Sequence, residues 1–229
     1  FKQYELKVVN HQSDDEKAEG LVEFDKRNPN LKIVNIPKTE VKTLLGKKYA
    51  LLKGIEVATF DTIVVTDADC RPNTTHWLAK LVGSYLDETK IVLAQAPIEK
   101  KSGWLNKLIR YENFIASLLC FGFAKAGLPY TGSGRNMSYK KDLFEKFDRF
   151  AKAKNILGGD DDLLINATAT RKNTEVCIDK DAFVYTKAKT TLSDWLNQKR
   201  RHLRSGFKYK FYHIIILFLF ALSSVFFYV

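Results

Sequence analysis

Apolar runs without alternation, spaced by helical patterns, dominate the first half of the chain. Ile63-Val64-Val65 is β-branched and continuous, the pattern of a strand covered on both faces. Strands are also predicted at Tyr4–Val9, Leu31–Ile36 and Ile91–Ala96. Helices are predicted at Glu16–Phe24, at Lys47–Thr59 with Ala50, Leu51, Ile55 and Ala58 at helical spacing, and at Trp77–Leu86. Strands alternating with short helices imply βαβ units, an α/β fold and a mostly parallel sheet. Beyond Pro97 the pattern changes. Trp104 to Phe123 is a long apolar-rich helix, a core element or one lying against a membrane. A glycine-rich loop follows at Gly127–Met137, then a strand end and helix at Ser138–Phe147 and a last strand at Asp179–Val184.

The end of the chain is different again. From Lys187 to Lys210 the only acid is Asp194, and the uncharged run Phe211–Val229 comes next. That run approaches the ~20 residues that span a bilayer, and basic residues on its N-terminal side would face the cytoplasm. The division expected is a catalytic domain over 1–192, a basic interfacial helix over 193–210 and a transmembrane helix over 211–229. The chain opens on Phe1 and closes within an apolar run, so it reads as a fragment of a membrane-anchored protein.

With 229 residues and 45% hydrophobic content, one substantial core is affordable. The net charge of +11 suits nucleic acid, anionic membrane or a phosphate-bearing substrate, and its concentration beside the apolar run favours the membrane. No nucleic-acid-binding signature is present. Three scattered cysteines and four dispersed histidines argue against a zinc site or disulfide framework and fit a reducing compartment.

Three segments carry candidate chemistry. Asp67 and Asp69 leave the Ile63–Val65 strand together, at the edge where open α/β sheets bind ligands. Two carboxylates there suit a hard divalent cation shared with substrate phosphates. Gly158-Gly159-Asp160-Asp161-Asp162 opens a helix, where one acid serves as cap and another is free to act as base. Paired glycines before the acids suggest close backbone approach to a bound group. In Gln198-Lys199-Arg200-Arg201-His202, Gln198, Arg201 and His202 fall within about one helical turn, and arginine offers a fixed fork of donors to phosphate.

In this order the segments resemble the family 2 glycosyltransferases of GT-A fold, over nearly the whole chain before the apolar run. The resemblance implies an enzyme that moves a sugar from a nucleotide-sugar donor to a hydroxyl, with inversion and Mg²⁺ or Mn²⁺. It places Asp67 toward the ribose and Asp69 on the metal, with Lys47 of Gly46-Lys47 beside the nucleotide. Asn136 of Gly134-Arg135-Asn136 falls near the donor sugar. Asp160 takes the place of the catalytic base, with Gly159 where the family carries Glu, and a shift of one residue promotes Asp161. Gln198, Arg201 and His202 contact the donor diphosphate, His202 standing where processive members carry Trp. His11 replaces the acid that usually meets the nucleobase, and the family's first strand has no counterpart before Tyr4. The partners implied are a nucleotide sugar, a lipid-linked or saccharide acceptor and the cytoplasmic face of a cell membrane, with no nucleic acid. Two further readings share the paired acids: a sugar-nucleotide nucleotidylyltransferase, and a membrane-anchored binding protein of the same fold without activity.

Overall fold

The computed structural model describes residues 3–11, 27–37, 47–147, 159 and 161–228. The expected helix Glu16–Phe24, Gly46 and Asp160 lie outside the described residues. Strands β1 (Leu6–His11) and β2 (Leu31–Ile36) pair in parallel as a two-stranded sheet. Helix α1 (Lys48–Glu56) packs on β1, and the Glu5 carboxylate accepts from the Thr59 N–H at 2.6 Å just beyond α1.

The central sheet has four strands: β3 (Thr62–Val65), β5 (Ile91–Ala94), β6 (Met137–Lys140) and β7 (Thr174–Cys177). Their order is β3-β6-β5-β7. β3, β5 and β7 run in one direction, and β6 runs antiparallel to both of its neighbours. Among the described residues the sheet is therefore mostly parallel, as expected, with β6 reversed. The cause is helix α3 (Trp104–Lys125), 22 residues long, which carries the chain away before β6 returns between strands already laid down. A short antiparallel pair, β4 (Cys70–Pro72) with β8 (Val184–Thr186), caps the carboxyl end of β3.

β5 explains why its sequence shows no alternation. Ile91 and Leu93 face one apolar cluster, with Met137, Tyr139, Phe144 and Ile165, while Val92 and Ala94 face another, with Leu81, Cys177 and Ala182. All four β5 residues are buried. Leu81 belongs to α2 (Trp77–Val82), Phe144 to α4 (Lys141–Lys146) and Ile165 to α5 (Asp162–Thr168). The strand expected at Asp179–Val184 is instead a 3₁₀ turn, Lys180–Ala182, capped by the Asp179 carboxylate and running into β8.

Helix α6 (Leu192–Gly206) starts at Thr191, whose hydroxyl accepts from the Asp194 N–H at 3.1 Å, and covers most of the expected basic helix. Helix α7 (Phe211–Tyr228) occupies the run expected to cross a membrane. That expectation is corrected: among the described residues no helix is long and apolar enough to span a bilayer. The first turn is also committed to protein. His213 is 3% exposed and its Nδ1 lies 2.8 Å from the Asn166 amide nitrogen.

Candidate active site

The chain beyond β3 turns sharply, the Cys70 N–H donating to the Asp67 carbonyl at 3.0 Å, so both carboxylates stay at the strand's carboxyl end. Asp67 and Asp69 line a cleft of about 590 Å³ together with Asp161, Gln198, Arg201 and His202. Lys47, at the start of α1, reaches across it. Its Nζ lies 2.9 Å from Asp67 Oδ1 and 3.5 Å from Asp161 Oδ2. Residues from four distant stretches thus meet in one cavity, as the sequence expected; Asp160 alone among the expected catalytic residues falls outside the described ones.

Asp161 is fixed by the glycine loop. The Gly134 N–H donates to its Oδ2 at 2.9 Å. A Cβ on residue 134 would come within 2.1 Å of that oxygen, so only glycine permits the approach. The loop is braced on both sides: Thr66 Oγ1 donates to the Arg135 carbonyl at 3.0 Å, and the Arg135 guanidinium donates to Asn113 Oδ1 on α3 at 2.8 Å. The glycine before the acids lines the cleft and also meets a local demand. Gly159 has φ +76°, a conformation that favours glycine, and a Cβ there would lie 2.7 Å from Leu163 Cδ1.

Asn136 departs from expectation. It is fully buried; its amide donates to the Gln95 and Ala182 carbonyls, both at 2.8 Å, and its Oδ1 accepts from Trp77 Nε1 at 2.9 Å. It does not line the cleft, so its side chain joins β5, β6, α2 and the 3₁₀ turn rather than touching a donor. Buried amides are costly to leave unsatisfied, and three partners inside the core account for this residue completely.

Three residues that the sequence did not single out position α6. Asp162 Oδ2 accepts from Ser205 Oγ at 2.5 Å and from the Tyr209 hydroxyl at 2.9 Å, while Oδ1 accepts from the Leu163 N–H at 3.0 Å. This carboxylate ties the first turn of α5 to the end of α6, and so sets where Gln198, Arg201 and His202 stand. The only advance signal was its place beside the other acids. Desolvation by the surrounding walls lowers the His202 pKa, and the charges of Lys199, Arg135 and Arg201 reinforce this against Asp162. These influences favour the neutral imidazole.

One oxygen each from Asp67 and Asp69 and the Cys70 sulfur lie within 4.8 Å of one another. Burial pushes the Cys70 thiol pKa up, helped by the charges of Asp67 and Asp69, and the thiol donates to Asp69 Oδ1 at 3.8 Å. A protonated thiol is a poor partner for a hard cation. The two carboxylates fit Mg²⁺ or Mn²⁺, which favour oxygen, and Cys70 does not join them.

Comparison with known proteins agrees with this fold. No curated protein matches the chain. Among solved structures, S. aureus TarS 1-349 superposes with a TM-score of 0.52 at 15% identity, covering 80% of this chain and 51% of TarS. The same protein in complex with UDP-GlcNAc gives 0.52 at 15% identity, with 82% and 50% covered. Glucosyl-3-phosphoglycerate synthase from Mycobacterium tuberculosis, in complex with Mn²⁺ and UDP-glucose, gives 0.48 at 14% identity, with 87% and 66% covered. The chain spans about half the length of TarS. The profile described as "Glycosyl transferase family 2" matches residues 1–147. The fold shared with TarS 1-349, the paired acids ending β3 and a family match across well over half of the sequence lead to one assignment: the chain belongs to glycosyl transferase family 2.

Proposed function

We propose that the chain carries the catalytic site of an enzyme that moves a sugar from a nucleotide-diphosphate donor to an acceptor hydroxyl with inversion. The observation that carries this reading is the single cleft in which Asp67, Asp69 and Asp161 face Gln198, Arg201 and His202. The UDP-GlcNAc complex of TarS, whose fold this chain shares, supports a nucleotide sugar as donor.

Lys47, Gln198 and Arg201 bind the diphosphate, where a guanidinium and an ammonium oppose the charge that grows on the departing group. Asp67 sits on the ribose side, and Asp67 with Asp69 would hold Mg²⁺ or Mn²⁺. When bound, the ion adds positive charge at the leaving diphosphate. The acceptor oxygen bonds to the anomeric carbon from the face opposite the diphosphate, the bond from that carbon to the diphosphate oxygen breaks, and the hydroxyl proton passes to a carboxylate of Asp160–Asp161. Proton removal by a positioned base is typically worth ~10²–10⁴ in rate. The position of Asp161 in the cleft, in contact with Gly134 and Lys47, supports this role. The acceptor is lipid-linked or a saccharide, reached at the cytoplasmic face of a cell membrane.

The test is a panel of nucleotide sugars offered to the full-length protein with released phosphate species as readout. Nucleoside diphosphate is the expected product. Pyrophosphate would mark a nucleotidylyltransferase, and no turnover with any donor would favour a binding protein of the same fold.

A further inference from the structure

Helix α3 is apolar on the side it buries and again on the side it exposes. Ile109, Cys120 and Ala124 face the core, while Trp104, Leu108, Tyr111, Phe114 and Leu118, at intervals of three and four, are exposed. Trp104 is 65% and Tyr111 63% exposed. A surface helix of a globular protein carries polar residues there, and exposed apolar patches of this extent mark an interaction face.

The apolar surface does not stop at α3. The Lys199–Glu112 ion pair joins α6 to α3, and beside it α6 exposes Leu196, Leu203 and Phe207 with Arg200 and Arg204 as neighbours. At the other end, Phe123 meets Phe220 with ring centroids 6.2 Å apart. A groove of about 280 Å³ there, lined by Leu118, Gly122 and Phe220, continues the surface onto α7.

We propose that α3, α6 and α7 form one face that docks this protein in the headgroup–acyl boundary of an anionic bilayer, with α3 lying along the membrane plane. The proposal deepens the membrane-side part of the reading above and is independent of the transfer chemistry. Charge selects lipid over a second copy. Eight Lys and Arg lie between Lys187 and Lys210 against Asp194 alone, so a second copy would bring the same positive charge, whereas anionic headgroups neutralise it. Trp104 and Tyr111 combine apolar rings with a polar tip, as residues at the headgroup level do. Glu112, Asn113 and Ser117 on the inner side of α3 line the active-site cleft, which brings its opening beside the bilayer.

The full chain is mixed with vesicles of phosphatidylcholine, with or without phosphatidylglycerol, and with vesicles of brominated lipid that quench tryptophan on contact. Expected are binding that requires phosphatidylglycerol and weakens with salt, and quenching that largely disappears in Trp104→Phe. The triple variant Tyr111→Ser, Phe114→Ser, Leu118→Ser, altered only at exposed positions, should partition about tenfold less or weaker still. Bound protein whose Trp104 escapes quenching, or a triple variant that binds like wild type, overturns the docking face. A soluble dimer broken by the same triple variant overturns it in favour of a second copy. No binding to any vesicle removes the membrane-side reading as well, and nucleoside diphosphate release in detergent decides the transfer reading separately.

Discussion

Gly134→Ala tests the site through a single methyl group. Gly134 is not among the glycines with positive φ, so alanine fits the backbone and the whole effect comes from contact. The new Cβ would lie 2.1 Å from Asp161 Oδ2 and 2.3 Å from its Cγ, and Asp161 must leave. Leaving breaks the 2.9 Å bond from the Gly134 N–H and the 3.5 Å approach of Lys47. A hydrogen bond to a charged group contributes about 1.5–3 kcal/mol. At about 2–4 °C per kcal/mol for a chain of this size, the midpoint of thermal unfolding should drop by roughly 3–12 °C. If Asp161 is the base, turnover should fall by ~10²–10⁴. Nucleoside diphosphate release under saturating donor, beside a thermal melt, measures both. Asp161→Asn is the companion: it keeps the size of the side chain and removes its basicity. Wild-type turnover in Gly134→Ala would refute the placement of Asp161 in the chemistry. A large loss in Gly134→Ala with none in Asp161→Asn would make Asp161 a brace for the loop and leave Asp160 as base.

The other predictions concern metal, protons and positioning. Chelation should stop sugar transfer, Mg²⁺ or Mn²⁺ should restore it, and Asp69→Ala should be rescued by neither; a binding scaffold would show no such loss. The lowered pKa of His202 favours its neutral form, so a bound diphosphate draws it toward the protonated form. Nucleoside diphosphate should bind more tightly as pH falls and His202 gains its proton, and titration calorimetry of His202→Gln should show a flatter profile. The same lowered pKa means that the unfolded chain takes up the His202 proton first; stability present above pH 6.5 is lost as pH falls, and less so in His202→Gln. Tyr209→Phe removes a donor to Asp162 and should raise KM for the donor more than it lowers kcat, because α6 shifts while the acids stay. Asn136→Ala leaves the Trp77 indole N–H and the Ala182 carbonyl without the partner they have here, while the Gln95 carbonyl keeps the Val184 N–H; at about 1–3 kcal/mol for each stranded group, it should show as lost folded protein in a denaturant melt rather than altered KM.

Sequence periodicity located the elements whose burial is regular. Leu31–Ile36 matches β2 at both ends, and the Trp104 helix begins where its apolar pattern begins. The paired acids were legible because a two-sided apolar strand feeds them directly to a sheet edge. Strand direction was not legible, since Met137–Lys140 reads the same in either orientation and only its insertion between β3 and β5 makes it antiparallel. β7 was missed because Thr174-Glu175-Val176-Cys177 is short and half polar, its burial supplied by β5 and the packed helices. Asp179–Val184 looked extended, yet the Asp179 side chain captures the Asp181 N–H and starts a turn. Asn136 shows the limit of a motif: its neighbours are a cleft loop, but three core groups claim its amide. α7 reads as spanning from composition alone, while His213 and Phe220 bind its flank to the domain. The Asp162–Ser205–Tyr209 contact joins residues 43 and 47 positions apart, a pairing that no local pattern encodes.

The most direct test of the central claim, one cleft built for a nucleotide sugar, is phosphate-species release by wild type and Asp69→Ala across a panel of such donors. Nucleoside diphosphate formed in step with a glycosylated acceptor, dependent on a divalent ion and absent in Asp69→Ala, is the predicted result. Equal release by the two proteins, or pyrophosphate as the product, would contradict it.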